Sequence, residues 1–411
     1  MKQNTTYKQT ELGLIPEDWE LKKLGKVGEI DKKSLNSNTD KEYEFDYISL
    51  SDVDSDQFSI KTSKQKFKNA PSRARRIVKK GDVLLSTVRP NLEGFTIIRD
   101  EVKDLIASTG FAVITSKNEL HNEYLFNFLF SNIIKRQFHK LLVGSNYPAI
   151  NSSDVKNLKI PLPPLQEQKK IADCLSTWDS AIEKQNALIN ALTDRKKALM
   201  QQLLTGKKRL PGFSGEWKEV SLIELADFRR GSFPQPYGLP EWYDNENGEP
   251  FIQVYDVGDN FNLKPTTKSK ISELAQVQSV FIKKGTLIVT LQGSIGKVAI
   301  TNYDAYIDRT LLLFSSFKMK VDIYFIMYQI HNLFNIEKEK APGGIIKTIT
   351  KEVLSNFKIK LPSFEEQTAI AEILATADRE LQLQKEKLAQ LQTQKKGLMQ
   401  VLLTGKKRLI N

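Results

Sequence analysis

One cysteine, Cys174, stands in 411 residues, so no internal disulfide can form. The three histidines, His121, His139 and His331, are scattered, and with a single cysteine they make no zinc pattern. No apolar run approaches the ~20 residues that a membrane span needs, and Met1–Thr10 is polar, without the apolar stretch of an export signal. The expectation is a cytoplasmic protein with no membrane partner. A GxxxxGK[ST] phosphate loop is missing as well: Gly343-Gly344-Ile345-Ile346-Lys347-Thr348 lacks both the leading glycine and the Gly-Lys dipeptide. There is no Asx-Pro-Pro-aromatic run, no convincing Gly-rich turn after a strand and no nuclease-like acidic cluster. The chain is therefore expected to carry no catalytic residues, no metal and no cofactor of its own.

What is present is basic. Lys and Arg total 61 against 49 Asp and Glu, a formal charge of +12, which suits a polyanionic partner without demanding one. The length exceeds the ~250 residues at which a single core stops growing, so at least two globular units are expected.

The chain is also written twice. Leu162–Leu210 and Leu361–Leu409 align without a gap at an offset of 199, with about half the positions identical. The match opens with Leu162-Pro163 and Glu167-Gln168 against Leu361-Pro362 and Glu366-Gln367, and closes with Leu-Leu-Thr-Gly-Lys-Lys-Arg-Leu in both copies. Upstream it fades: Asn157-Leu158-Lys159-Ile160 parallels Asn356-Phe357-Lys358-Ile359, and Trp19 finds Trp217. Each half is a variable block followed by a shared segment, which sets the expected boundaries at 1–160, 161–206, 207–360 and 361–406.

In the shared segment Ile171, Leu175, Trp178, Ile182, Ile189, Leu192, Leu199 and Leu203 keep an alternating four-three spacing. Ile370, Leu374, Ala377, Leu381, Leu388, Leu391, Leu398 and Leu402 repeat it. This is the seam of a coiled coil. Proline-rich entries and the exits at Gly206 and Gly405 bound each helix to about 40 residues, roughly 60 Å. With a block of about 150 residues between them, the copies can pair antiparallel within one chain; homo-oligomerisation is the alternative. Two-fold symmetry would set the polar seam positions Gln185 beside Lys395 and Lys196 beside Gln384, since neither is cheaply buried against leucine.

Both blocks read as α+β. The first has β-rich runs at Phe45–Leu50 and Gly81–Ser86 and a helix over Glu123–Leu142; the second has Phe251–Val257, Gly285–Leu291, Val298–Ile300 and a helix near Asp322–Lys340. Lys79-Lys80-Gly81 and Lys283-Lys284-Gly285 lead into matching strands, but the loops that follow differ. Different side chains on one frame are what two readers of different base edges need, although drift in surface loops produces the same divergence. Candidate DNA contacts in the first block are Arg73, Arg75, Arg76, Lys79, Lys80, Arg89, Asn91, Ser145, Asn146 and Tyr147. In the second they are Arg229, Arg230, Lys264, Lys268, Lys270, Gln292, Ser294, Lys297 and Lys347.

Two variable blocks, each followed by a copied helix that opens with Pro161-Leu162-Pro163-Pro164-Leu165-Gln166-Glu167-Gln168 or Leu361-Pro362-Ser363-Phe364-Glu365-Glu366-Gln367, resemble the specificity subunits of type I restriction-modification systems. The openings Ile15-Pro16-Glu17-Asp18-Trp19 and Phe213-Ser214-Gly215-Glu216-Trp217 are similar to that family's domain starts, and the resemblance covers essentially the whole chain. It implies two α/β target-recognition domains separated by an antiparallel two-helix coiled coil. Each domain would read one half of a split, asymmetric double-stranded DNA target. The helices would hold two methyltransferase subunits, which use S-adenosylmethionine, and two restriction subunits would join, with ATP and Mg on those partners. Ser363, Phe364 and Ala377 depart from Pro164, Leu165 and Trp178 of the first copy, which puts equal methyltransferase contacts in doubt. A protein-assembly adaptor and an enzyme with a cryptic site are the competing readings.

Overall fold

A computed structural model describes residues 6–54, 59–142, 148–340 and 354–410. The chain forms two compact units, Met1–Leu188 with Gln384–Asn411, and Ile189–Leu383.

In the first unit the strand Val83–Ser86 is buried along its whole length. Its side chains alternate between two cores, Val83 and Leu85 into one and Leu84 into the other, so the run reads as uniformly apolar because both faces of the sheet are covered. Around it one sheet runs in the order Phe95–Ile97, Val83–Ser86, Phe111–Ser116, Gly28–Ile30, all antiparallel. The other runs Ser63–Lys66, Glu44–Ile48, Leu105–Ser108, Ala74–Val78, with its two central strands parallel. The second unit repeats this order. Val298–Ile300, Leu287–Thr290, Leu311–Phe317 and Ala226–Arg230 form one sheet; Ser269–Ile271, Glu249–Ile252, Ala305–Ile307 and Val280–Ile282 form the other, again with a parallel central pair. Leu287 and Val289 enter one core and Ile288 the other.

The helix expected over Glu123–Leu142 is two helices, Asn122–Phe128 and Asn132–Leu142. The chain breaks where Phe130 and Ser131 turn back onto the carbonyls of Asn127 and Phe128. The Ile134 amide then donates to the Ser131 hydroxyl oxygen, starting the second helix. In the second unit Ile323–Lys340 is continuous and is capped by Asp322, whose carboxylate accepts from the Tyr324 and Phe325 amides.

The shared segments form long helices, Leu165–Leu203 and Phe364–Leu402, of 39 residues each. Within the first unit the start of the first helix lies against the end of the second: Ile171 and Leu175 share a core with Met399, Leu402 and Leu403 and with the globular part. Within the second unit Met200, Leu203 and Leu204 share a core with Ile370, Ala371 and Leu374. Both pairings are antiparallel. Of the seam positions, Ile182 and Leu381 are also buried, while Trp178, Leu192, Leu199, Leu388, Leu391 and Leu398 are half-buried. The ends of the seam are core positions of the units, which a heptad count alone does not reveal.

The polar seam register differs from the expected one. Gln185 donates to the Gln384 side-chain oxygen at 2.8 Å, and Lys395 pairs with Asp179 rather than with Gln185. The same ion pair recurs in the second unit between Lys196 and Asp378. A carboxylate neutralises a buried ammonium, which an amide cannot do, so the lysines choose the aspartates and the glutamines pair with each other.

The copied Glu-Gln motif is a clasp. Glu167 accepts two hydrogen bonds from Arg408 and one from the Trp19 indole at 3.1 Å; Gln168 binds the His121 amide and the carbonyls of Glu119 and Pro163. In the second unit Glu366 accepts from Arg209 and from the Trp217 indole at 3.3 Å, and Gln367 binds the Asp322 amide and the Pro362 carbonyl. In each unit the glutamate comes from the start of one helix, the arginine from just beyond the end of the other, and the tryptophan from the opening of the globular block.

Candidate nucleic-acid interface

The parallel pair Glu44–Ile48 and Leu105–Ser108 brings two strand ends side by side, and the antiparallel strand Ala74–Val78 begins there, with Ser108 opposite Ala74. In the neighbouring sheet Ser86 faces Phe111. The loops after Ile48, Ser86 and Ser108 therefore gather with Arg73 at one end of the first unit. They are tied together: the Thr109 amide donates to the Arg73 carbonyl, and the amide and hydroxyl of Thr87 both donate to the Gly110 carbonyl, each at 2.8 Å. Ser49 and Asp52 close a capping box around the turn after the first strand. Arg89 and Glu93, at φ 49° and 58°, hold left-handed backbone on either side of the turn Pro90–Leu92, a conformation that costs energy for residues other than glycine and marks a rigidly determined loop.

Arg73, Arg89 and Asn91 are exposed at this end. The other basic candidates of the run are placed differently. Arg75 lies over the Phe67 ring, 4.9 Å from its centroid, and donates to the Ala74 carbonyl. Arg76 is held by the buried carboxylate of Asp31 at 3.0 Å. Lys79 and Lys80 follow the far end of the strand, about 17 Å away at ~3.3 Å per residue, and Lys80 pairs with Glu101. Ser145, Asn146, Tyr147 and Lys347 lie outside the described residues.

The second unit gathers the same three loops. The Leu291 amide donates to the Thr310 carbonyl at 2.8 Å, the counterpart of Thr87 to Gly110. Arg230 arrives opposite Leu312, with Arg229 one residue before it. Chain passage at Gly231 leaves no room for a side chain: a Cβ there would lie 2.3 Å from the Ile307 carbonyl oxygen. Gln292 and Ser294 are exposed in the loop after Thr290. Lys297 pairs with Asp259 at 2.6 Å, the Lys268 ammonium lies 4.9 Å from the centre of the Tyr255 ring, Lys264 binds the Asp256 carbonyl through its amide, and Lys270 reaches the Glu246 carbonyl.

Several residues of these loops escaped the sequence reading: Ser49 and Ser51 in the first unit, Gln253, Tyr255, Tyr237 and Arg309 in the second. Tyr255 donates to Gln253, Gln253 to the Tyr237 hydroxyl, and Tyr237 to Asp308. Burial and the Asp308 carboxylate beside it push the Tyr237 phenol well above its ordinary range, so it stays a donor. The matching signal was there in Ser49-Leu50-Ser51-Asp52 and Gln253-Val254-Tyr255-Asp256, where an aspartate in each caps the same turn. Burial raises the Asp256 carboxyl, opposed by hydrogen bonds from the amides of Gln253 and Lys268.

Among the described residues no group of His, Cys, Asp and Glu could hold a metal ion, and no helix is long and apolar enough to cross a membrane.

Residues 16–194 and 214–393 each match the type I restriction modification DNA specificity domain. A type I restriction enzyme specificity subunit of Methanocaldococcus jannaschii, MjaVIII, is 30% identical over 426 residues, spanning 97% of this chain and 95% of its own. A second from the same organism, the putative MjaX specificity subunit, is 28% identical and spans 98% and 97%. A chain solved in work on complex assembly and conformational transition of the type I restriction-modification system covers 96% of this chain and 99% of its own, with 26% identity and a TM-score of 0.65. Two matched domains, full-length relatives and a shared frame with a copied clasp lead to one conclusion: the chain belongs to the type I restriction-modification DNA specificity family and is a specificity subunit, a recognition component rather than a catalytic one.

Proposed function

We propose that the chain reads a bipartite, asymmetric double-stranded DNA target, with the domains at 1–160 and 207–360 each reading one half-site and the paired helices setting the gap between them. The observation that carries this is one frame bearing two sets of side chains. The same capped turn holds Ser49 and Ser51 in one unit and Gln253 and Tyr255 in the other. Base edges in the major groove are distinguished by such donor and acceptor patterns, and unlike readers imply unlike half-sites.

The long helices, at 39 residues about 58 Å each, also serve as the scaffold for two methyltransferase subunits, and two restriction subunits join that assembly. S-adenosylmethionine, ATP and Mg belong to those partners, and the complex works in the cytoplasm. Relatives named as specificity subunits and a solved chain from a study of complex assembly support this reading. The test is to assemble the chain with its methyltransferase and map methylated adenines. The expected result is one split sequence with a fixed gap; methylation without sequence preference rejects the proposal.

A further inference from the structure

The two domains put a guanidinium at the same point of the frame, from opposite strands. Strand pairing sets Arg76 opposite Ala107 in the first unit and Val280 opposite Ile307 in the second. In the first unit the register then slips by one residue, setting Ala74 opposite Ser108, and the Thr109 amide reaches the Arg73 carbonyl. The hydrogen bonds from Thr87 to Gly110 and from Leu291 to Thr310 likewise equate Thr109 with Arg309. So Arg73 lies beside Thr109 in the first unit, and Arg309 stands at the position of Thr109 in the second.

Arg309 is built to present its charge. It is exposed, and its guanidinium lies 5.7 Å from the centre of the Tyr237 ring. The ring is pinned by its hydroxyl to Asp308, a fully buried residue. That carboxylate is already engaged, since the Thr310 amide at 2.7 Å and the Thr310 hydroxyl at 2.5 Å donate to it as well. Asp308 therefore supports the platform without neutralising the arginine. Among the described residues neither Arg309 nor Arg73 has an ion pair, unlike Arg76 and Lys297 nearby. An arginine stacked on a ring and free of carboxylates is oriented to fork onto two acceptors.

We propose that Arg309 reads a guanine in the half-site of the second domain, through the two acceptors on its major-groove edge, and that Arg73 does the same for the first domain. This rests on the DNA-reading function above. Arg309→Ala, Arg309→Lys and Arg73→Ala are to be compared with the unaltered chain, each assembled with the methyltransferase and offered a pool of targets randomised at every position of both half-sites. Arg309→Ala is expected to lower discrimination at one G·C pair of one half-site by about 10- to 100-fold. Arg309→Lys keeps the charge but not the fork, and relaxes the same pair. Arg73→Ala relaxes a pair in the other half-site. Both residues replaced are exposed, and unchanged melting midpoints check that the fold is intact. A loss of affinity spread evenly over all sequences makes these arginines phosphate contacts and overturns the inference while the DNA-reading function stands; so does relaxation of one half-site by both alanine variants. An unaltered complex with no sequence preference overturns the function itself.

Discussion

Arg408 donates to both carboxylate oxygens of Glu167, at 2.7 and 2.8 Å, across 241 positions of sequence. The pair joins the segment after the second long helix to the start of the first, and its side chains are only 8% and 3% exposed. Arg408 also holds Asp18, at 2.7 and 2.9 Å, so removing Glu167 takes its buried partner and leaves the exposed one, a loss of charged hydrogen bonds worth about 1.5–3 kcal/mol. Glu167→Gln is expected to destabilise the first unit on that scale in denaturant unfolding. Glu366→Gln is expected to cost less, because its partner Arg209 is 29% exposed and water can take over its hydrogen bonds. Equal losses for the two variants would mean that burial is not what gives the clasp its strength.

The Lys395–Asp179 pair at the helix seam gives a second test. Lys395→Ala leaves Asp179 without its cation, whereas Lys395→Leu with Asp179→Leu replaces both charges by apolar groups and is expected to recover most of the loss. Burial already raises the Asp179 carboxyl, against the opposing pull of Lys395. A carboxyl raised in the folded state binds its proton more readily there than in the unfolded chain, so stability falls as pH rises. The defect of Lys395→Ala should accordingly shrink as pH is lowered from 8 towards 5, as read by melting temperature.

His331 responds to acid in the opposite sense. Burial, reinforced by Lys196 and Lys338, lowers it to about 4, and its ring packs edge-on to Phe261 with centroids 5.0 Å apart. Between pH 6.5 and 4 the unfolded chain takes up a proton that the folded one refuses, so stability present above pH 6.5 drains away as pH falls through that window. Melting curves of the chain and of His331→Phe should diverge at pH 7 and converge or cross by pH 4. Parallel curves would show that the imidazole is not the titrating group.

Gly206 and Gly405 occupy the same place in identical Leu-Leu-Thr-Gly-Lys-Lys-Arg-Leu segments, and both have positive φ, 72° and 70°. Their surroundings differ. A Cβ on Gly206 would meet Trp217 at 3.5 Å, an ordinary contact, but on Gly405 it would lie 2.4 Å from Pro16. Gly206→Ala is expected to cost about 1 kcal/mol from backbone strain, and Gly405→Ala at least 1 kcal/mol more from the clash, in the same unfolding assay.

The repeat, the two long helices and the α+β blocks were legible because each leaves a pattern in chain order: a copied segment, a four-three spacing, strands bounded by turns. Pairing across the chain leaves no such pattern. Nothing near Lys395 in sequence points to Asp179, whereas two-fold symmetry points to Gln185. The basic run Arg73 to Lys80 looked like one patch because strand residues are consecutive in sequence, yet the strand carries its two ends about 17 Å apart, and Asp31 holds Arg76 between them. Arg309 was missed for the converse reason: it is a lone cation whose platform, Tyr237, comes from 71 positions before the Asp308 that anchors it.

Met399, Leu402 and Leu403 close the core that Trp19 and Tyr124 begin, and the Tyr7 hydroxyl donates to the Gly405 carbonyl. A ribosome makes the first of these groups almost four hundred residues before the last. The opening strands are therefore made long before the residues that complete their core, and reach their finished state only after them. A stop codon placed just ahead of Met399 would show its damage far away in the sequence, as protease sensitivity in the strands around Ile15 and Trp19.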